Sequence, residues 1–282
     1  MKNISIVTDS TSDLPEDSYK DFDLSVVPLS VLYKNKIFID NKKDIEPADF
    51  YKMIKTSKEM PSASQPTPGD FLKVYDEKIR EGKEVVSIHI SSKLSGTLNS
   101  ARLASKQLKN EQIEIIDSEV VHMHCGFMSL KAAQMARDGA AINEIIDELK
   151  IFKNKIYSFF MPRSMENLIK GGRVSKIKGK MADLLEIKPI LTLKDGEVSL
   201  FKNSRKWELS KEELLNIMGS LIKGTGKLLV SIGDVANKHE AGEMQASITQ
   251  RFKPSKIIRT DIGIVVGSHL GIGGLGITFF EE

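Results

Sequence analysis

In the first half of the chain, short apolar bursts alternate with longer amphipathic stretches. Ile4–Thr8 reads as a buried strand that runs into the polar segment Asp9-Ser10-Thr11-Ser12-Asp13. Asp13, with Glu16 three residues on and Pro15 in the first turn, predicts a helix start. Leu24–Tyr33 is rich in β-formers, and Asp49–Lys58 has the spacing of a short helix after Pro47. Thr67-Pro68-Gly69-Asp70 predicts another helix start, from which Phe71, Val74, Tyr75 and Ile79 fall on one face. Glu84–Ile90 and Ile113–Asp117 predict strands, while Ser95 onward, Met123–Ala136 and Ile142–Phe152 predict helices. Strand and helix alternating at this spacing imply a parallel sheet with helices on its faces.

The pattern changes near residue 155. Ile156–Met161 predicts a strand, and Lys170-Gly171-Gly172-Arg173 interrupts a short helix. Lys188–Leu193 and Val198–Phe201 flank Asp195-Gly196, a hairpin signal. A helix (Lys211–Ile222), a strand (Leu228–Ile232), a second helix (Lys238–Phe252) and two closing strands follow. The fold class expected is α/β: an N-terminal parallel-sheet α/β domain over 1–155 and an α+β domain over 156–282.

Composition narrows the function. The 282 residues (31.4 kDa) carry 41 Lys+Arg against 38 Asp+Glu, a net charge of +3, and are 40% hydrophobic. That balance argues against a strongly basic nucleic-acid binder and against an acidic tail. The length suits two domains. A lone cysteine, Cys125, excludes an internal disulfide and a cysteine-based zinc finger. No apolar run approaches the roughly 18 residues of a membrane span, and the N-terminus lacks a signal-peptide core. A soluble, cytoplasmic protein with no stable membrane insertion is expected.

Several text motifs fail on physical grounds. Gly271-x-Gly273-x-x-Gly276 matches the dinucleotide fingerprint, but a strand-like Ile277–Phe280 follows where the pyrophosphate needs a helix N-terminus. A glycine-rich turn making a close backbone approach is expected instead. His122-x-His124-Cys125 lacks further ligands at metal spacing, so packing is its expected role and no metal is assigned. Ser175-x-x-Lys178 stands without the rest of the serine–lysine hydrolase pattern. Asp9 follows a strand as in aspartyl phosphotransferases, but Thr11 stands where a second Asp is needed. Lys170, Arg173, Lys176, Lys178 and Lys180 form a basic stretch with little aromatic interleaving. It suits a solvated face, an acidic partner or a phosphate-bearing ligand better than nucleic acid.

Two hydroxyl-rich segments carry more weight. Pro61-Ser62-Ala63-Ser64-Gln65-Pro66-Thr67-Pro68 and Ser91-Ser92-Lys93-Leu94-Ser95-Gly96-Thr97 each lie between a loop and a helix start. The second follows a strand directly. Ligands of parallel α/β sheets collect at the carboxyl ends of strands, where helix N–H groups and the Ser95 hydroxyl can hold a small anion. An N-cap is the ordinary role of either serine alone. The glycine-flanked Gly267-Ser268-His269-Leu270-Gly271 adds a third polar segment.

These blocks, with Thr8-Asp9-Ser10-Thr11-Ser12-Asp13-Leu14, Val27-Pro28-Leu29, Ser64-Gln65-Pro66 and Gly171-Gly172-Arg173-Val174-Ser175, together resemble the DegV family. They occur in the family's order from residue 8 to 276. The resemblance implies a ligand tunnel between the two domains. Its FakB-type members bind a long-chain fatty acid such as palmitate and present its carboxylate to a partner fatty acid kinase, serving phospholipid metabolism. By position, the resemblance places the carboxylate between Ser62 and Ser95, with His269 nearby and Arg173 at the pocket mouth. Ser62 stands where the family usually has Thr. Glu119-Val120-Val121-His122-Met123-His124 stands where the family runs small and apolar. The resemblance implies a lipid carrier rather than an enzyme, with no cofactor beyond the lipid. The basic stretch beside Arg173 is expected to dock the kinase.

The chemistry of the residues agrees with that expectation. Hydroxyls and a helix N-terminus can hold a carboxylate without a buried cation. About fourteen methylenes at ~0.8 kcal/mol each give up to ~11 kcal/mol before association costs. The apolar residues of Leu24–Leu32, Met123–Met135 and Leu184–Leu191 are candidate tunnel walls, and eleven methionines suit an adaptable one. Two other readings stay open: a serine-dependent acyl hydrolase or transferase with Ser95 as nucleophile and His269 as base, and a nucleic-acid or regulatory binder using the basic stretch.

Overall fold

The computed structural model describes residues 3–57, 59–109, 112–174 and 185–282. In chain order its elements begin β1 (Ile4–Asp9), β2 (Leu24–Val27), β3 (Ser30–Tyr33), β4 (Lys36–Ile39), α1 (Pro47–Ile54), β5 (Ser62–Ser64) and α2 (Pro68–Arg80). They continue with β6 (Glu84–His89), α3 (Thr97–Leu108), β7 (Ile113–Asp117), α4 (Met123–Arg137), α5 (Ile142–Lys153), β8 (Tyr157–Met161) and α6 (Glu166–Lys170). The last are β9 (Ile190–Lys194), β10 (Glu197–Lys202), α7 (Trp207–Leu221), β11 (Leu228–Asp234), α8 (Lys238–Phe252), β12 (Lys256–Asp261), α9 (Ile264–Leu270) and β13 (Leu275–Glu281). The chain divides into two units, Met1–Asp44 with Ala63–Asn154 and Ile45–Ser62 with Lys155–Glu282. Residues 45–62, which lie inside the N-terminal domain on the sequence reading, group with the second unit.

The first unit is built on a four-stranded sheet in the order β2-β1-β6-β7, every pair parallel. Its central strands β1 and β6 are buried on both faces, as a sheet covered by helices requires. Val7, Val27, Val85 and Ile113 pack with Phe71 and Tyr75 of α2 and Ala101 and Ala104 of α3. Thr67 opens α2 with a reciprocal capping box to Asp70. β3 and β4 form a hairpin through Lys34 and Asn35, both at positive φ, in a small second sheet with β5.

The helix expected from Asp13 does not form. Two short 3-10 turns, Ser10–Ser12 and Glu16–Ser18, occupy that segment, and Asp13 sits between them in the left-handed region at φ 53°. Its carboxylate meets His122 Nδ1 at 2.7 Å instead of capping a helix. A tertiary partner wins over a local capping signal here.

The second unit carries a six-stranded mixed sheet, order β10-β9-β8-β13-β11-β12. β9 and β10 form the expected hairpin, with Asp195 at φ 50° and Gly196 at φ 80° matching a type I′ turn. β11 and β12 are parallel, joined through α8, while β13 runs antiparallel between β8 and β11. Met161, Leu214, Met218, Val230, Ile232 and Ile277 are at the centre of its core. After α9, Gly271 and Gly273 take φ near +86° and +87°, and a Cβ on Gly273 would stand 2.7 Å from Arg163 Cγ. Strand β13, not a helix, then follows, so the glycine turn is a close backbone passage and not a dinucleotide cradle. Among the described residues no helix is long and apolar enough to cross a membrane.

Candidate ligand-binding site

In the first unit the turns leaving β1, β6 and β7 lie together at the carboxyl edge of the sheet. The turn from Ser91 to Thr97 is tied on three sides. Ile90 N donates to the buried Asp9 Oδ2 at 3.0 Å. Ser91 N donates to Val120 O at 2.9 Å, and Ser92 donates through both its N–H and its hydroxyl to Asp117. Within the turn Ser95 N donates to Ser91 O at 3.1 Å. Ser95 Oγ stands 2.8 Å from Thr97 Oγ1 and accepts from Thr97 N at 3.3 Å. These are the bonds of a helix-start residue and do not prepare a nucleophile. The N-cap of α3 is Gly96, which has no side chain to take the first-turn N–H groups beyond that of Thr97. An anion could take them instead.

Glycine at 96 has a steric cause. A Cβ there would lie 2.0 Å from Gln65 Oε1, because the Gln65 amide rests on the Gly96 backbone and donates to Ser100 Oγ at 3.1 Å. The segment Ser64-Gln65-Pro66 is thereby fixed to the start of α3. Ser62 lies three residues before Gln65, exposed on β5.

In the second unit the Gly171-Gly172-Arg173 block and the Gly267–Gly271 block meet. A Cβ on Gly171 would fall 2.5 Å from His269 Nδ1. Asn167 Nδ2 donates to Ser268 O at 3.1 Å, and its side chain stands over Gly271. On the far side of α9 the Tyr51 hydroxyl lies 2.8 Å from Ile262 O and 2.7 Å from Gly263 O. A Cβ on Gly267 would overlap it at 1.9 Å. His269 Nδ1 is buried and has no hydrogen-bond partner among the described residues. Burial, aided by the positive charge of Arg173, lowers the His269 pKa to about 4, so the ring is neutral near pH 7. A neutral imidazole has one N–H to donate and one nitrogen to accept. The Arg173 guanidinium donates to Gly171 O.

The structure thus brings His269 and Arg173 together in the second unit, to which Ser62 also belongs, and places Ser95 in the first. Lys176, Lys178 and Lys180 lie outside the described residues, as do Ser175 and Leu184. The His122-x-His124-Cys125 group disperses: His122 turns to Asp13, His124 Nε2 donates to Lys153 O at 3.1 Å, and Cys125 is buried near Thr8. Burial pushes the Cys125 thiol up to about 12. Among the described residues no three His, Cys, Asp or Glu side chains gather to hold a metal. Asp9 is fully buried with both carboxylate oxygens taken by donors, a poor phosphoryl acceptor.

Two features escaped the sequence reading. Gln65 and Asn167 each brace a glycine of a polar block, and nothing local marks either. The buried set Asp9, His89, Ser87 and Tyr75 did leave a signal: Ser87 and His89 are polar residues two apart on one face of a buried strand, and such groups must find partners.

The family model described as "Uncharacterised protein, DegV family" matches residues 3–282. A DegV domain-containing protein of Listeria innocua is 33% identical over 282 residues, covering 99% of this chain and 98% of its own. Protein DegV of Bacillus subtilis is 29% identical over 276 residues, 98% of each chain. Among solved structures, a Thermus thermophilus DegV family protein described for its fatty acid binding matches with TM-score 0.91 at 29% identity. That match covers 99% of this chain and 100% of the other. A stearic acid-binding protein from Eubacterium ventriosum matches with TM-score 0.88 at 25% identity, over 100% and 98% of the two chains. With a family model spanning nearly every residue and a relative above 30% identity at full length, this chain is a member of the DegV family.

Proposed function

We propose that the chain binds a long-chain fatty acid non-covalently, with Ser62, Ser95 and His269 addressing its carboxylate and Arg173 at the pocket mouth. It acts as a carrier that presents that carboxylate to a partner fatty acid kinase, not as an enzyme. The observation that carries this reading is the full-length likeness to the Thermus thermophilus protein described for its fatty acid binding.

The residues supply a consistent chemistry. A carboxylate that is to accept a phosphoryl group must be held yet keep its electron density. Serine hydroxyls, helix N–H groups and a neutral imidazole donate hydrogen bonds without forming a full ion pair. His269, neutral because it is buried beside Arg173, fits that requirement. Orientation is then the task of the polar end, and affinity that of the acyl chain.

Native mass spectrometry of the purified protein, followed by solvent extraction, tests the proposal. The expected result is a one-to-one adduct that extracts as free fatty acid. A protein that is empty and refuses added palmitate would sink it. Turnover of ATP by a fatty acid kinase in the presence of the loaded protein tests the carrier role separately.

A further inference from the structure

Outside the four proposed contacts, the first unit holds a buried polar chain. Tyr75 Oη lies 2.7 Å from Ser87 Oγ, Ser87 Oγ 2.6 Å from His89 Nε2, and His89 Nδ1 3.0 Å from Asp9 Oδ2. All four residues are 0% exposed. The distances are those of a Ser-His-Asp triad, but Ser87 lies in mid-strand with its hydroxyl held by a tyrosine and no route for a substrate.

The Asp9 end explains the arrangement better. Its Oδ1 accepts from Thr11 N at 3.1 Å and from the Thr11 hydroxyl. Its Oδ2 accepts from Ile90 N at 3.0 Å and faces His89 Nδ1. Two backbone N–H groups can only donate, so the carboxylate is their acceptor, and His89 Nδ1 faces it as a further partner. From His89 Nε2 the chain continues away from the carboxylate through Ser87 Oγ to Tyr75 Oη. Phe71 fixes the ring from the side, edge-on at 4.9 Å between centroids. One carboxylate therefore ties the turn after β1, through Thr11, to the turn after β6, through Ile90, five residues before Ser95. Asp117 holds the outer side of the same turn through Ser92.

We infer that Asp9, oriented by His89, is a positioning residue that sets where Ser95 and the N-terminus of α3 stand, and hence how the ligand carboxylate is received. This rests on the proposed assignment of Ser95 to that carboxylate. The same geometry gives the buried histidine a role that involves neither metal nor catalysis.

The test is the carboxyl 13C resonance of [1-13C]palmitate bound to wild type and to Asp9→Asn, with native mass spectrometry to confirm occupancy. The asparagine amide puts a donor against Thr11 or Ile90, breaking one tie at nearly constant volume. The expected result is one-to-one loading with a displaced or split carboxyl resonance. A loaded, folded variant with the wild-type resonance overturns the inference. His89→Gln, which removes the ring and leaves the carboxylate, carries the same expectation if Asp9→Asn does not fold. Should neither fold, the pair serves the sheet alone and the inference falls. If the wild type takes no palmitate, the fatty-acid reading fails on its own. The amide resonances of Ser95, Gly96 and Thr97 then decide the positioning role without ligand: shifted in either variant, it stands; unmoved, it is wrong.

Discussion

An alanine Cβ at Gly171 would come within 2.5 Å of His269 Nδ1 and 3.0 Å of Asn167 O, so the histidine rests directly against a bare backbone. Neighbouring Gly172 differs: its φ is +72° and nothing lies within 4 Å of an added Cβ. Gly171→Ala is expected to cost about 1–3 kcal/mol from the overlap and to displace His269. Gly172→Ala should cost only about 1 kcal/mol, from backbone strain, with the ring left in place. Thermal melting gives the first quantity, and the His269 ring resonances give the second. Equal displacement of His269 in both variants would refute the steric account.

Gly96 presents the opposite case, because the atoms in its way belong to the far end of the exposed Gln65. Gly96→Ala should push that amide aside, break its 3.1 Å bond to Ser100, and cost no more than about 1 kcal/mol. Once Gln65→Ala has removed the obstacle, the same substitution should cost almost nothing. A double-mutant cycle by chemical denaturation reads the coupling directly. Strict additivity would show that Gln65 does not seat on Gly96.

Two buried histidines set an acid limit. Burial lowers His124 and His269 to about 4 from the ordinary 6.5. A histidine with a depressed folded pKa binds its proton more readily when unfolded, so unfolded chains take up protons first as pH falls. Stability is therefore whole above pH 6.5 and declines between about 6.5 and 4. For the buried His124 the loss reaches up to about 3 kcal/mol, at 1.36 kcal/mol per unit. His124→Gln, which keeps a donor for Lys153 O, should flatten the melting temperature over that window. An unchanged slope would mean that other groups govern the acid transition.

The legibility of this chain follows from where the causes lie. Strand-helix alternation up to Lys153 and the Asp195-Gly196 hairpin could be read because period and turn chemistry are local. The capping signal at Asp13 misled because its carboxylate serves His122, which lies 109 positions away. His269 stood in a glycine-flanked polar segment and Arg173 in a basic stretch, but their roles beside a carboxylate came from the family resemblance. Their proximity depends on Gly171 and Asn167, whose roles exist only once α6 and α9 meet. The assignment of 45–62 to the second unit has a similar cause: Tyr51 is held by Ile262 and Gly263, more than 200 positions on.

The Asp13–His122 pair couples charge to backbone strain. His122 has φ 60° and ψ −152°, a region nearly reserved for glycine, and Asp13 is also left-handed at φ 53°. Such a histidine conformation costs about 1–3 kcal/mol, and the 2.7 Å contact between two side chains at most 1% exposed holds it in place. His122→Gly relieves the strain but takes from a buried carboxylate its imidazole donor, a loss of about 3–5 kcal/mol. The single variant should therefore be destabilised despite its easier backbone. Asp13→Asn tolerates the left-handed conformation and removes the charge. Adding it to His122→Gly should thus recover at least about 1 kcal/mol relative to the sum of the two single effects. Urea denaturation of the four proteins measures that coupling. Zero coupling would mean that the backbone, and not the contact with Asp13, keeps His122 where it is.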